Sequence, residues 1–169
     1  MKILETKRLF LRWVSTDDAA FILELLNEPS FVRNVGDKGV RTVAEACTYI
    51  LNGPVASYER FGFGLYLVEL KESGASIGLC GLVKRDGLED VDIGFAFLPK
   101  FWSKGYAVES ALAVKLYAQN VIKLKRIVAI TVTDNQSSIR VLEKIGLRFD
   151  KMVRLSNDEP ELKLFTSDE

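Results

Sequence analysis

Hydrophobic and polar positions change period several times along the chain, and each change marks an element. "LETKRLFLRWV" (4–14) alternates as a first strand. "STDD" (15–18) has Ser-x-x-Asp capping spacing and predicts a helix through Phe21, Ile22, Leu25 and Leu26 that stops at Pro29. Thr42 and Glu45 repeat the signature before a helix from Val43 to Leu51, closed by "NGP" (52–54), and "VASYERFG" (55–62) adds a turn or two. The period then shortens. "FGLYLVELK" (63–71) and "IGLCGLVKR" (77–85) read as strands joined by "ESGAS", and "DGLED" (86–90) turns the chain into a third, "VDIGFAFL" (91–98). A helix follows with Ala107, Val108, Ala111, Leu112, Val114 and Ala118 as its apolar stripe. "RIVAITV" (126–132) is a short buried strand, "DNQSSIRVLEKIG" (134–146) a helix capped by Asn135 and stopped at Gly146, and "LRFDKMVRL" and "ELKLFT" are final strands around "SNDE". With no internal repeat and no linker, this order predicts one domain over 1–169. Its class is α/β of the α+β type, a mixed sheet with helices on its faces rather than an alternating dinucleotide-binding chain.

Composition mainly excludes. Hydrophobic residues make up 48% and charged residues 27%, ordinary for a soluble globular protein and contrary to disorder. Lys plus Arg equals Asp plus Glu at 23 each, so no net field draws the chain to nucleic acid or an acidic membrane. No apolar run nears the ~20 residues of a membrane helix. Cys47 and Cys80 have no metal-ligand spacing, so no metal is expected, and they suggest reduced thiols in a cytoplasm. Histidine is absent, which removes Ser-His-Asp and Cys-His chemistry and any histidine base. Carboxylates, hydroxyls, tyrosines, lysines and the backbone remain.

The stretch "FLPKFWSKGYAVESA" (97–111) is where chemistry concentrates. A helix N-terminus presents unsatisfied N–H groups and partial positive charge, so it holds an anion without a charged side chain. Gly105 permits close backbone approach, Ala107 adds little bulk, and Lys104 brings a cation; a phosphate or pyrophosphate is the natural guest. A plain glycine-containing connection between strand and helix accounts for the same residues. Neither the Walker pattern nor Gly-x-Gly-x-x-Gly occurs in the chain.

"FLPKFWSKGYAVES", followed by "TDNQSSIRVLEKIGLRF", resembles the GNAT superfamily of acyl-CoA-dependent N-acetyltransferases. With "ETKRLFLRWVSTDDA" and "FGLYLVELKESGASIGLCGL", it is similar to the ribosomal-protein N-terminal acetyltransferase (RimJ/RimL-like) branch over essentially the whole chain. The resemblance implies a mostly antiparallel sheet of six to seven strands with about four helices and a V-shaped splay between the central strands. It implies acetyl-CoA as co-substrate. The superfamily's Arg/Gln-x-x-Gly-x-Gly/Ala loop falls on Trp102, Ser103, Lys104, Gly105, Tyr106 and Ala107, with Ser103 where the branch commonly has glycine. The Ser103–Ala107 amides would hold the pyrophosphate, Phe97 and Leu98 would pair with the pantetheine arm, and Asn135 and Ser138 would contact the cofactor near the thioester. Core strand and helix cap remain alternative readings of "VDIGFAFL" and Asn135.

The implied reaction is direct attack of an amine on the thioester. A backbone N–H near Phe97 is the oxyanion candidate. Relatives' tyrosine acid falls on Leu142, so Ser138 is the proton-donor candidate for the leaving thiolate. Asp92 and then Glu69 are the candidate bases, although charged residues on strands commonly just face solvent. The resemblance favours a protein or peptide N-terminal amine as acceptor. A small amine (polyamine, amino acid or aminoglycoside) and a non-catalytic acyl-CoA sensor are the alternatives. The acidic loops "DGLED" and "SNDEPE" would suit a cationic acceptor or be solvated turns. A homodimer is common in such folds.

Overall fold

The computed structural model describes residues 1–167; the last two positions of the expected domain lie outside them. The first predicted strand is a hairpin of two, β1 (Lys2–Glu5) and β2 (Leu9–Arg12), because Thr6 closes a tight turn in which its N–H donates to the Leu9 carbonyl at 2.9 Å. Ser15 and Asp18 form the expected capping box ahead of α1 (Ala19–Leu26). Pro29 does not end the helical region. It opens α2 (Pro29–Asn34) from a first-turn position, where its missing N–H costs nothing. Thr42 caps α3 (Val43–Ile50) by accepting from the Glu45 N–H at 3.1 Å. "NGP" does not break the chain either: a wide helical turn over Leu51–Val55 absorbs Pro54 and leads into α4 (Ala56–Phe61).

Strands β3 (Leu65–Leu70), β4 (Ser76–Val83) and β5 (Asp92–Phe97) follow as the alternation predicts. Then come α5 (Tyr106–Tyr117), β6 (Val128–Thr131), α6 (Gln136–Lys144), β7 (Arg148–Val153) and β8 (Leu162–Thr166). They build one eight-stranded sheet in the order β1-β2-β3-β4-β5-β6-β8-β7, a strand beyond the expected range because of the opening hairpin. Every neighbouring pair is antiparallel except β5 with β6.

Two apolar layers sandwich this sheet. One face packs Tyr66, Val68, Ile93 and Phe97 with Ala111 and Val114 of α5 and with Ile139 and Leu142 of α6. The other packs Leu67, Leu79 and Leu98 against Ile22, Leu25 and Leu26 of α1 and Ala46 and Ile50 of α3. Alternation along β5 therefore sends Asp92, Ala96 and Leu98 toward the α1–α3 layer and Ile93 and Phe97 toward α5. Gly78 is required at its position: a Cβ there would stand 2.6 Å from the Phe97 ring, whose seat at the end of β5 depends on that space.

Candidate functional site

The segment between β5 and α5 forms a tight one-turn helix (Pro99–Phe101), then reverses through two left-handed residues, Ser103 (φ 63°) and Gly105 (φ 83°). Gly105 is the N-cap of α5 and makes no side-chain cap, so the first amides of that twelve-residue helix open into the loop. Trp102, Ser103, Lys104 and Gly105 are all exposed. This is the backbone an anion cradle needs, with Lys104 as the local cation. The glycine of the resembling branch would adopt the left-handed geometry freely at position 103, where serine adopts it at a cost of roughly 1 kcal/mol.

What holds this loop was not foreseen. Arg8, in the β1–β2 turn, donates from Nη1 to the Lys104 carbonyl (2.9 Å) and from Nε to Glu109 Oε1 (2.7 Å), and its guanidinium lies 4.4 Å from the Tyr106 ring centre. Glu109 Oε2 also accepts from the Arg8 N–H (2.9 Å) and the Thr6 hydroxyl (2.5 Å). A Cβ on Gly105 would meet Arg8 Nη2 at 3.2 Å. The N-terminal hairpin thus braces the cradle from behind, and Arg8 neutralises a carboxylate that would otherwise oppose an anion on the same helix turn. Burial raises the Glu109 pKa, but the Thr6 and Arg8 hydrogen bonds outweigh it and hold the carboxyl below its ordinary range. Nothing local in the sequence joins Arg8 to a loop some hundred residues later.

β5 and β6 share a single register pair, Asp92 with Val128, reinforced by the Val128 N–H donating to the Val91 carbonyl at 3.1 Å. Beyond it β5 continues for five residues without pairing to β6, which is the expected V-shaped splay. Leu98 turns its N–H to the Ile77 carbonyl (3.0 Å) on β4, and its own carbonyl accepts from the Phe101 N–H (3.0 Å). By alternation, the backbone groups of Phe95 and Phe97 are the ones that face the gap. The expectation that Leu98 presents its backbone to a pantetheine arm is corrected accordingly: Phe95, not Leu98, joins Phe97 on that edge. The Phe97 carbonyl already accepts from Trp102 Nε1 (2.9 Å), tying the exposed indole to the top of the strand and leaving the Phe97 N–H to face the gap.

Asn135 caps α6, accepting from the Ser138 N–H at 3.3 Å, and donates from Nδ2 to Ser138 Oγ at 2.9 Å. Ser138 Oγ is an acceptor in that contact, so its hydroxyl proton is available to another group. Leu142 is buried in the core. Asn135 also borders a small polar pocket of about 280 Å³ with Arg33 and Asn34 at the end of α2. Asp92 sits at the vertex of the V, 1% exposed, and takes a 2.5 Å ion pair from Arg85 Nε. Burial pushes its carboxyl pKa up against the opposing pull of Arg85. Glu69 lies elsewhere, on β3, two strands from β5 and so on the order of 10 Å across the sheet. There it pairs with Arg12 at 3.0 Å, which also binds Asp18 at 2.7 Å. The structure therefore joins Asp92 to the splay and gives Glu69 a structural partner outside it.

In the α1–α3 layer, an open groove of about 580 Å³ runs between the 38–40 loop and one side of α3, lined by Lys38, Glu45, Thr48, Tyr49 and Asn52 among others. Among the described residues no helix is long and apolar enough to cross a membrane, and no cluster of candidate metal ligands occurs.

A splayed mixed sheet with a helix-opening loop at the end of its open strand is the arrangement that the resemblance to acyl-CoA-dependent acyltransferases implied. The chain belongs to the acetyltransferase (GNAT) domain family, which matches residues 8–148, and acetyl-CoA is its co-substrate. Its sequence is 30% identical to the uncharacterized protein YkkB of Bacillus subtilis over 157 residues, covering 91% of this chain and 90% of that one. It is 29% identical to the uncharacterized N-acetyltransferase YoaA of the same organism, covering 90% and 86%. Among solved structures it superposes on RimL, a ribosomal alpha-N-protein acetyltransferase in complex with coenzyme A, with a TM-score of 0.83 at 16% identity, covering 99% of this chain and 100% of that one.

Proposed function

We propose that this N-acetyltransferase moves the acetyl group directly to a primary amine within one ternary complex, with Asp92 as base and Ser138 as proton donor. The observation that carries this reading is the continuous backbone path from the 103–107 cradle, along the gap-facing edge of Phe97 and Phe95, to the buried carboxylate at the vertex. Acetyl-CoA supplies an activated thioester and a stable leaving thiolate. Its pantetheine arm, pairing like about four residues of extended chain, spans roughly 13 Å. Asp92 lies about 16 Å down β5 from Phe97, so the arm laid on that edge ends within side-chain reach of the carboxylate.

The residues then divide the work. The amides of Ser103, Lys104, Gly105, Tyr106 and Ala107 take the pyrophosphate, with Trp102 closing the edge above Phe97. Gap-facing N–H groups of β5 polarise the carbonyl oxygen. Asp92, with its pKa raised by burial, is better matched than an ordinary aspartate to accept, near neutral pH, the proton that the attacking amine gives up. Asn135 orients Ser138, whose hydroxyl proton goes to the departing sulfur while water restores the proton on the serine oxygen. Positioning of both reactants supplies much of the rate.

For the acceptor, the RimJ/RimL-like resemblance favours a protein or peptide N-terminal amine. RimL shares the fold at an identity too low to bring its acceptor with it, so a small amine is the competing choice. Incubation with acetyl-CoA and a panel of N-terminal peptides, amino acids, polyamines and aminoglycosides, read by mass spectrometry, tests both points. Acetylated product with intersecting initial-rate lines supports direct transfer. Parallel lines, or an acetylated protein intermediate, overturn it, and tight acetyl-CoA binding without transfer to any amine identifies a sensor instead.

A further inference from the structure

An open strand edge does not by itself fix where a guest pairs. Its donors and acceptors repeat every two residues, about 7 Å, so an extended chain can dock in more than one register. From the mouth of the V inward, the gap-facing groups of β5 are the Phe97 carbonyl, the Phe97 N–H, the Phe95 carbonyl and the Phe95 N–H. The first of these is taken. Trp102 Nε1 donates to it at 2.9 Å, although Trp102 is 47% exposed.

The fold holds this corner without that bond. The turn after β5 is closed by the Phe101 N–H donating to the Leu98 carbonyl at 3.0 Å and the Trp102 N–H donating to the Pro99 carbonyl at 3.1 Å. Buried Leu98 anchors it in the α1–α3 layer, and half-buried Phe101 packs against both apolar layers. Arg8 holds the next residues through the Lys104 carbonyl at 2.9 Å. A carbonyl at an open edge is satisfied equally well by water. The indole nevertheless commits its only donor to the Phe97 carbonyl and keeps a large ring in solvent.

We infer that Trp102 is a positioning residue that sets the register of the acyl-CoA arm on β5: by occupying the Phe97 carbonyl it removes the acceptor nearest the cradle, so pairing starts at the Phe97 N–H. The inference rests on the acetyl-CoA path proposed above. With that carbonyl open, an arm anchored at 103–107 would meet it first, engage one repeat too early and take up the slack in its single bonds. The thioester would then stop about 7 Å short of its place near Asp92, beyond the reach of the carboxylate. Trp102 thus acts on the chemistry through the arm and touches none of the reacting atoms. One hydrogen bond tips such a competition by roughly three- to tenfold.

Trp102→Phe keeps an aromatic ring at the mouth and removes the donor. A mispaired arm binds without reacting, so kcat and the KM for acetyl-CoA should fall together, each about three- to tenfold, with kcat/KM nearly unchanged. A ring that only walls the site gives the opposite pattern. A raised KM with kcat preserved overturns the inference, and so does a kcat within twofold of wild type. Nuclear magnetic resonance adds a direct readout, because the chain has two tryptophans and the variant assigns their indole signals. With coenzyme A saturating, the Trp102 indole N–H should exchange slowly with solvent. Exchange as fast as in free tryptophan means that the arm displaces the bond, and register control falls. The last readout needs no turnover. Coenzyme A should protect the Phe97 and Phe95 amides of the wild type, whereas in Trp102→Phe the protection should persist at Phe97 and drop several-fold at Phe95. Unchanged protection at Phe95 overturns the inference. If that shift is seen while no amine is acetylated, the transfer reading falls and the register role stands.

Discussion

Arg8→Ala asks whether the hairpin brace governs the cofactor site. The substitution removes the donors to the Lys104 carbonyl and Glu109 Oε1 and the cation over Tyr106, leaving the backbone and Thr6 contacts to Glu109 in place. The Arg8 side chain is 42% exposed, so solvent screening limits its share of stability to about 1 kcal/mol. For a domain of this size that is a fall of roughly 2–4 °C in Tm. The cofactor effect is separate. With Arg8 gone, Glu109 becomes an uncompensated carboxylate about 8 Å from a phosphate held at the start of α5, a repulsion of about 1 kcal/mol at an effective dielectric near 40. Loosening of the Lys104 carbonyl adds to it, so the acetyl-CoA Kd should rise about five- to tenfold. Calorimetry on the folded variant gives the Kd, and steady-state rates should show the change in KM for acetyl-CoA with kcat nearly preserved. Adding Glu109→Gln should recover about half of the lost binding energy. A Kd within twofold of wild type, or no recovery in the double variant, would refute the brace argument.

Other outcomes follow from the same geometry. Asp92→Asn should lower kcat by about 10²-fold or more. In the wild type, the acid limb of kcat/KM should have its midpoint above ~3.9, the value of an ordinary aspartate, and a wild-type-like profile in the variant would remove Asp92 as the base. Ser138→Ala should reduce kcat about tenfold and leave the acetyl-CoA Kd within a factor of ~3, since thiolate is a good leaving group. Ser103→Gly should relieve positive-φ strain and raise stability by about 0.5–1 kcal/mol in chemical denaturation, with no loss of cofactor binding. Because Glu109 has a depressed pKa in the folded state, its stabilisation is present above the unfolded-chain value of ~4.3 and is lost as pH falls through the folded value. Wild type and Glu109→Gln should therefore differ in denaturation midpoint at pH 7 and converge toward pH 3.

The strands and the two main helices were legible because their signals are local. A period of two over 63–71, a capping residue at Asn135 and a glycine at the mouth of α5 each act within a few residues. The loop geometry of the proposed cradle was legible for the same reason, since the proposed role resides in consecutive backbone amides. Partners distant in sequence were not legible. Arg8 meets Lys104 and Glu109 through tertiary packing, and Arg12 gathers Asp18 and Glu69 from separate segments. Leu98 was misassigned through parity: one residue along a strand reverses which neighbour the amide faces, and composition holds no trace of that choice. Pro29 misled because proline stops a helix from inside but starts one from its first turn, so the same residue supports opposite boundaries.

The unpaired length of β5 also bears on how turnover would end. Its unpaired amides would, on the proposed geometry, complete their pairing through the pantetheine arm, and that arm is identical in the acetylated co-substrate and in the spent product. On the proposed geometry, coenzyme A should retain nearly all of the contacts that anchor acetyl-CoA and compete for the same sheet edge with similar strength. Turnover would then be paced by clearing the thiol product, and the ratio of acetylated to free coenzyme A would act as the throttle on the enzyme.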